Sequence, residues 1–172
     1  MIKQLDSSDF PFAAEVIRTS FATIATDFDL TPQNCPTHTS FTTTAERLQN
    51  QHNWGWLMYG LYDGKRLVGF SSLSKDADSA YELHNLAVLP EHRHKGYGKL
   101  LLDFCKAKVK ELGGGKINLS IIDENAVLKN WYATNGFIHS GTKLFEQFPF
   151  TVGFMEWEVS SWDLKYDSKP QS

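Results

Sequence analysis

The chain predicts an α+β domain with a mixed sheet of about seven strands and about four helices. Three observations carry that expectation. Apolar residues switch between strand-like runs and stretches at helical spacing along most of the chain. Asp63-Gly64, a strong two-residue hairpin signal, separates two such runs. A content of 41% hydrophobic and 22% charged residues in 172 is ordinary for one globular domain large enough to bury a core. Residues 1–160 therefore read as a single domain and 161–172 as a polar tail, with Trp162 and Tyr166 as the side chains available to dock it.

Each element has a local reason. Residues 2–5 suit a short strand. From about 10 to 24, Ala13, Ala14, Ile17, Phe21 and Ile24 recur at helical spacing behind Asp9. Residues 27–40 are polar, carry Pro32 and Pro36, and read as a long loop of the kind that lines a site. A short helix near 43–51 follows, then strands at 55–62, 66–75 and 80–89. A helix from about 98 to 112 puts Leu101, Leu102, Cys105, Val109 and Leu112 on one face and stops at Gly113-Gly114-Gly115. Residues 117–122 form a compact apolar strand and 125–135 a short helix, and two last strands at about 137–147 and 150–159 flank Pro149.

Several function classes are disfavoured at once. A formal net charge of −3 gives no global pull toward nucleic acid or an anionic membrane, so neither partner is expected. The start lacks the apolar run of a signal peptide, and no stretch nears the ~20 apolar residues of a membrane span. Cys35 and Cys105 are too far apart in sequence for a metal pair and too few for a disulfide framework. A reduced, cytoplasmic setting is the expectation, with a homodimer left open.

The informative stretch is Leu86-Ala87-Val88-Leu89-Pro90-Glu91-His92-Arg93-His94-Lys95-Gly96-Tyr97-Gly98-Lys99. It reads as a strand, a glycine-containing loop and the start of an amphipathic helix. Such a helix start offers unpaired N–H groups and the positive end of the dipole, and Gly96 and Gly98 let a phosphate approach them. Arg93, His94 and Lys95 add positive charge at that mouth. On these grounds alone the stretch is an anion site; the three-glycine dinucleotide fingerprint and the Gly-Lys-Ser/Thr phosphate loop are both absent.

This stretch resembles the acetyl-CoA motif of the GCN5-related N-acetyltransferase (GNAT) superfamily, Arg/Gln-x-x-Gly-x-Gly/Ala after a strand ending Val-x-Pro. Arg93, Gly96 and Gly98 match the fixed positions, and Val88 and Pro90 the strand end. A second stretch, Asn125, Leu128, Lys129, Trp131-Tyr132 and Gly136-Phe137, resembles the family's downstream pattern. The resemblance implies a mixed, mostly antiparallel sheet whose central parallel strands, 80–89 and 116–122, splay apart. It implies a bulge near Leu86–Val88 that frees the backbone of Leu86, Ala87 and Val88 for the pantetheine arm, and a pyrophosphate on the amides of about Arg93 to Lys99, Tyr97 included. An N–H there would polarise the thioester carbonyl as an oxyanion hole does.

The same resemblance implies Tyr132 as the acid that protonates the departing thiolate and Glu82 as the base for the acceptor amine, with His84 on the same strand face as the alternative base. Asn125 has two readings, a pantetheine contact and a helix N-cap. Cys105 reads as core, and Cys35 with His38 as a less favoured thiol relay. The expected activity is direct transfer of acetyl from acetyl-CoA, as cosubstrate, to a primary amine. A non-catalytic acyl-CoA-binding module is the alternative. Loop 27–40, the helix near 43–51 and the hairpin around Phe145–Phe150 are expected to surround the acceptor, and Tyr59, Phe41 and Phe148 have two readings, lining of an apolar amine pocket and core.

Overall fold

A computed structural model describes residues 1–76 and 79–160. The expected tail, with Trp162 and Tyr166, lies outside the described residues.

Seven strands form one sheet: β1 (Ile2–Gln4), β2 (Leu57–Asp63), β3 (Arg66–Lys75), β4 (Ala80–Val88), β5 (Lys116–Ile122), β6 (Ile138–Leu144) and β7 (Thr151–Glu158). Their order is β1-β2-β3-β4-β5-β7-β6. Among the described residues only β4 and β5 pair in parallel; the other neighbours are antiparallel. That one parallel contact requires a crossover, which α4 (Tyr97–Glu111) supplies. The remaining helices are α1 (Phe10–Asp27), α2 (Thr39–Thr42), α3 (Ala45–Asn53) and α5 (Ala126–Thr134), with a single 3-10 turn at Pro90–His92.

The helices cover opposite faces. Cys105 of α4 donates to Ser71 Oγ at 3.3 Å, and a side chain on Gly69 would strike Leu101. Residues 69 and 71 of β3 therefore face α4, and alternation sends Val68 and Phe70 to the other side. There they pack with Phe10, Ala13, Ala14 and Ile17 of α1 and Leu48 of α3. Likewise Tyr81 and Leu83 of β4 join Cys105 and Val109 in the α4 core. Glu82 and His84 consequently face α1 and α3.

The described residues hold five α-helices, in keeping with the expected fold; α2 straddles the end of the 27–40 segment read as loop. One turn is too short to show periodicity, and its start is fixed by the His38 ring, whose Nδ1 accepts from Ser40 N. Leu112, expected on the buried face of α4, is 46% exposed because the helix ends at Glu111 and Leu112 is already its C-cap. Among the described residues no helix is long and apolar enough to cross a membrane, and no cluster of three His, Cys, Asp or Glu is arranged to hold a metal.

Candidate active site

A cleft opens in the middle of the sheet. β4 and β5 pair only over Ala80–Glu82 and Lys116–Asn118. Beyond those residues β4 follows β3 as far as Val88, while β5 stays with β7 through Ile122. The parting coincides with a bulge. Phe70 pairs with Ala87 but Ser72 with His84, so Asn85 and Leu86 stand opposite Ser71 alone, and Asn85 takes φ 51°. The bulge sits at Asn85–Leu86, one residue before the expected Leu86–Val88. Past it, Leu89 N donates to Val68 O at 2.9 Å. By antiparallel alternation the N–H and C=O of Val88 then point to the open edge.

The far end of the cleft is the start of α4. Gly96 is its N-cap at φ 82°, a left-handed geometry that costs a side-chain-bearing residue and not glycine. Space is no constraint there, since a Cβ would meet nothing within 4 Å; at Gly98 it would rest 3.5 Å from the Trp131 ring. The first bond inside the helix runs from Leu100 N to Gly96 O. The amides of Tyr97, Gly98 and Lys99 thus have no acceptor within the helix and sit at the positive end of its dipole. His94, Gly96, Tyr97, Gly98 and Lys99 line the cleft, whereas Lys95 is outside the wall. Lys99 pairs with Asp103, and the Tyr97 phenol is held above its ordinary pKa chiefly by its hydrogen bond to Asp63.

Arg93 stands in this run, yet its guanidinium turns inward. Nε donates to Val88 O at 3.2 Å, Nη1 to Thr23 Oγ1 at 3.1 Å and Nη2 to Ser20 O at 2.9 Å. The side chain is a strut between the end of β4 and α1. Removing a charged donor from buried carbonyls costs about 1.5–3 kcal/mol. Arg93→Met is therefore expected to lower the melting temperature by roughly 5–10 °C, measured by thermal denaturation, with Arg93→Lys recovering only part. An unchanged melting temperature would mean that the three bonds contribute nothing net.

On the α4 side, α5 brings up Asn125 and Tyr132. Asn125 Oδ1 accepts from Leu128 N at 3.0 Å, the N-cap arrangement, and the residue also lines the cleft. Tyr132 is buried edge-on between Trp131 and Phe137, with ring centroids 5.0 and 5.4 Å away. Its hydroxyl has no hydrogen-bond partner among the described residues. Burial, with Cys105 beside it, pushes the phenol pKa well up, so it stays an O–H donor.

On the other face lie Glu82 and His84. His84 stacks on Trp56 (centroids 4.1 Å apart, 18° between planes) and shares a 2.8 Å hydrogen bond between Nε2 and Ser74 Oγ. Glu82 Oε2 is 3.8 Å from the same nitrogen. Burial pushes the His84 pKa down to about 4, so the ring is neutral at pH 7 and supplies no cation to its neighbour. Burial, and secondarily Asp76, raises the Glu82 pKa.

These parts share one cavity of about 1110 Å³. It runs from the start of α4 past Ala87, Leu119 and Tyr132 to Glu82 and His84, and residues of the 27–40 segment and of the β6–β7 hairpin also line it. Phe148 lines it. Tyr59 does not, being core at 2% exposure, and neither does Phe41 on the surface. Trp56 and Glu124 were not foreseen. Trp56 reads in sequence as another strand aromatic, and the Glu124 carboxylate owes its place to Thr151 N, 3.0 Å away and 27 residues on.

The acetyltransferase (GNAT) family model matches residues 21–137. The spermidine N(1)-acetyltransferase of Thermoplasma acidophilum is 34% identical over 92 residues, covering 54% of this chain and 56% of that protein, so the match spans little more than half of the relative's length. The crystal structure of the PaiA N-acetyltransferase of Thermoplasma acidophilum in complex with coenzyme A has a TM-score of 0.73 at 26% identity, over 92% of this chain and 98% of that one. The ribosomal-protein-S18-alanine N-acetyltransferase of Escherichia coli reaches the same TM-score at 17% identity, over 93% and 94% of the two chains, a likeness of fold alone.

Proposed function

The chain belongs to the acetyltransferase (GNAT) family, and from that premise we propose that it moves the acetyl group of acetyl-CoA directly to a primary amine. The observation that carries the reading is the single cavity joining the free amides of α4, through the β4–β5 opening, to a carboxylate on the opposite face. A pyrophosphate suits the Tyr97–Lys99 amides, where Gly96 leaves open space, and an extended pantetheine arm suits the edge of β4 around Leu86–Val88 that β5 leaves open. The relative with coenzyme A bound supports the same cosubstrate.

The chain's own groups supply the proton traffic. Glu82, directly or through water, takes the proton of the incoming ammonium, and the freed amine forms the new C–N bond. As the C–S bond breaks, the Tyr132 hydroxyl donates its proton to the departing sulfur, and the second proton that the nitrogen sheds as the amide forms restores that hydroxyl, directly or through water. The Val88 N–H on the open edge of β4 is the donor offered to the carbonyl oxygen. The products are an amide and free CoA thiol. Arg93 holds the edge of β4 against α1, while the uncapped amides of α4 carry the phosphate contact.

The cofactor half is tested by thermal shift. At about 100 times its Kd, acetyl-CoA is expected to raise the melting temperature by several degrees, corresponding to about 2.7 kcal/mol, with much smaller shifts from NAD or ATP. Gly96→Glu introduces a carboxylate at the helix start and a side chain at φ 82°, and is expected to abolish the shift. A folded Gly96→Glu protein that binds acetyl-CoA normally would place the phosphates elsewhere.

A further inference from the structure

We infer that the acceptor is a primary amine carrying an apolar substituent, an aryl or alkyl group, held in a subsite built from the end of α1 and the β6–β7 hairpin. The inference rests on the transferase reading above and deepens it. Apart from the two main cores, Ala25, Leu30 and Cys35 form a third apolar cluster, against which Phe28, Ile122, Phe148 and Phe150 are only partly buried. Phe148 and Phe150 stack at 5.2 Å with 5° between planes, leaving no room for a guest between them and presenting ring surface instead. Phe28, Ile122, Phe148 and Phe150 all line the same cavity as Glu82.

Charge at this end complements an ammonium attached to such a group. Asp27 and Glu124 line the cavity beside the aromatic panel. Glu124 stays ionised, because the hydrogen bond from the Thr151 backbone holds its pKa below the ordinary range. The apolar surface and these carboxylates thus line the same cavity that reaches Glu82. A hydroxylated or multiply charged amine must desolvate its polar groups against four partly exposed apolar side chains, whereas an aryl or alkyl amine removes those side chains from water.

The test measures thiol release from acetyl-CoA with 2-phenylethylamine, n-hexylamine, ethanolamine and spermidine. The two apolar amines are expected to exceed ethanolamine and spermidine in kcat/KM by roughly 10–100-fold, mainly through KM. In Phe148→Ala/Phe150→Ala that ratio should fall at least about tenfold, and Phe148→Leu/Phe150→Leu should restore much of it. The acetyl-CoA thermal shift serves as the check that each variant is folded. Equal or better turnover of ethanolamine or spermidine by the unaltered protein, or a ratio unmoved in the alanine variant, overturns the subsite while leaving acetyl transfer intact. No thiol release with any amine, despite a normal acetyl-CoA shift, overturns the transferase reading and the subsite with it.

Discussion

Replacing Tyr132 by phenylalanine is expected to lower the acetyl-transfer rate by roughly 10²–10⁴-fold, the usual effect of losing a positioned general acid. The substitution keeps the ring that packs between Trp131 and Phe137, and the hydroxyl it removes has no partner among the described residues. Folding and acetyl-CoA affinity should therefore survive. The bond that matters is made only as charge builds on the departing sulfur, so the loss should appear in kcat more than in KM. Burial holds the phenol far above neutrality, so the protonated form is present throughout the useful pH range. An acetyl donor with a better leaving group should narrow the gap between variant and wild type. An unchanged single-turnover rate with acetyl-CoA would reduce Tyr132 to a packing residue.

Glu82→Gln is expected to cost a similar factor, about 10²–10⁴-fold near pH 7, with a different pH signature. An amine of pKa ~10.4 is neutral in only about one molecule in ~10³ at pH 7, equivalent to roughly 4.6 kcal/mol. A base that takes the surplus proton lowers that barrier. Burial and Asp76 raise the Glu82 pKa, which makes its carboxylate a stronger base than an ordinary one, and neutral His84 does not counteract this. In the wild type the rate should rise as pH passes the raised Glu82 pKa and the carboxylate forms. In the variant that limb should vanish, and activity should climb only at higher pH, where more amine is already neutral. A variant with the wild-type pH–rate profile would remove Glu82 from the proton path.

Much of the framework was legible because its causes are local. The Asp63-Gly64 turn, the glycine stop after α4 and alternation along Ala80–Val88 act over a few residues, and the β3 limits Arg66–Lys75 coincide with those read from sequence. Alternation also put Glu82 and His84 on one face, where the structure has them 3.8 Å apart. What sequence did not yield depends on contacts distant along the chain. Arg93 matches a motif that suggests a ligand, but its direction is set by carbonyl and hydroxyl acceptors on α1, some 70 residues earlier. Asn125 had two readings of equal standing, and the Leu128 amide supplies the bond of one of them. Trp56 and Glu124 reach the cavity only through cross-strand packing and the β6–β7 hairpin, which no short-range pattern encodes. The turn at α2 is shorter than any periodicity.

Direct transfer to an amine, with both substrates bound at once, is tested by counting products in one reaction. Purified protein is mixed with acetyl-CoA and 2-phenylethylamine; free thiol is titrated, and both the amine and the intact protein are weighed by mass spectrometry. The expected result is one thiol released per amine acetylated, negligible thiol without amine, and no acetylated protein at any time. Cys35 lines the cavity, but burial raises its pKa and so disfavours the thiolate that a relay needs. Thiol release before amine is added, accompanied by protein heavier by one acetyl group, would contradict direct transfer and put a covalent carrier in the path.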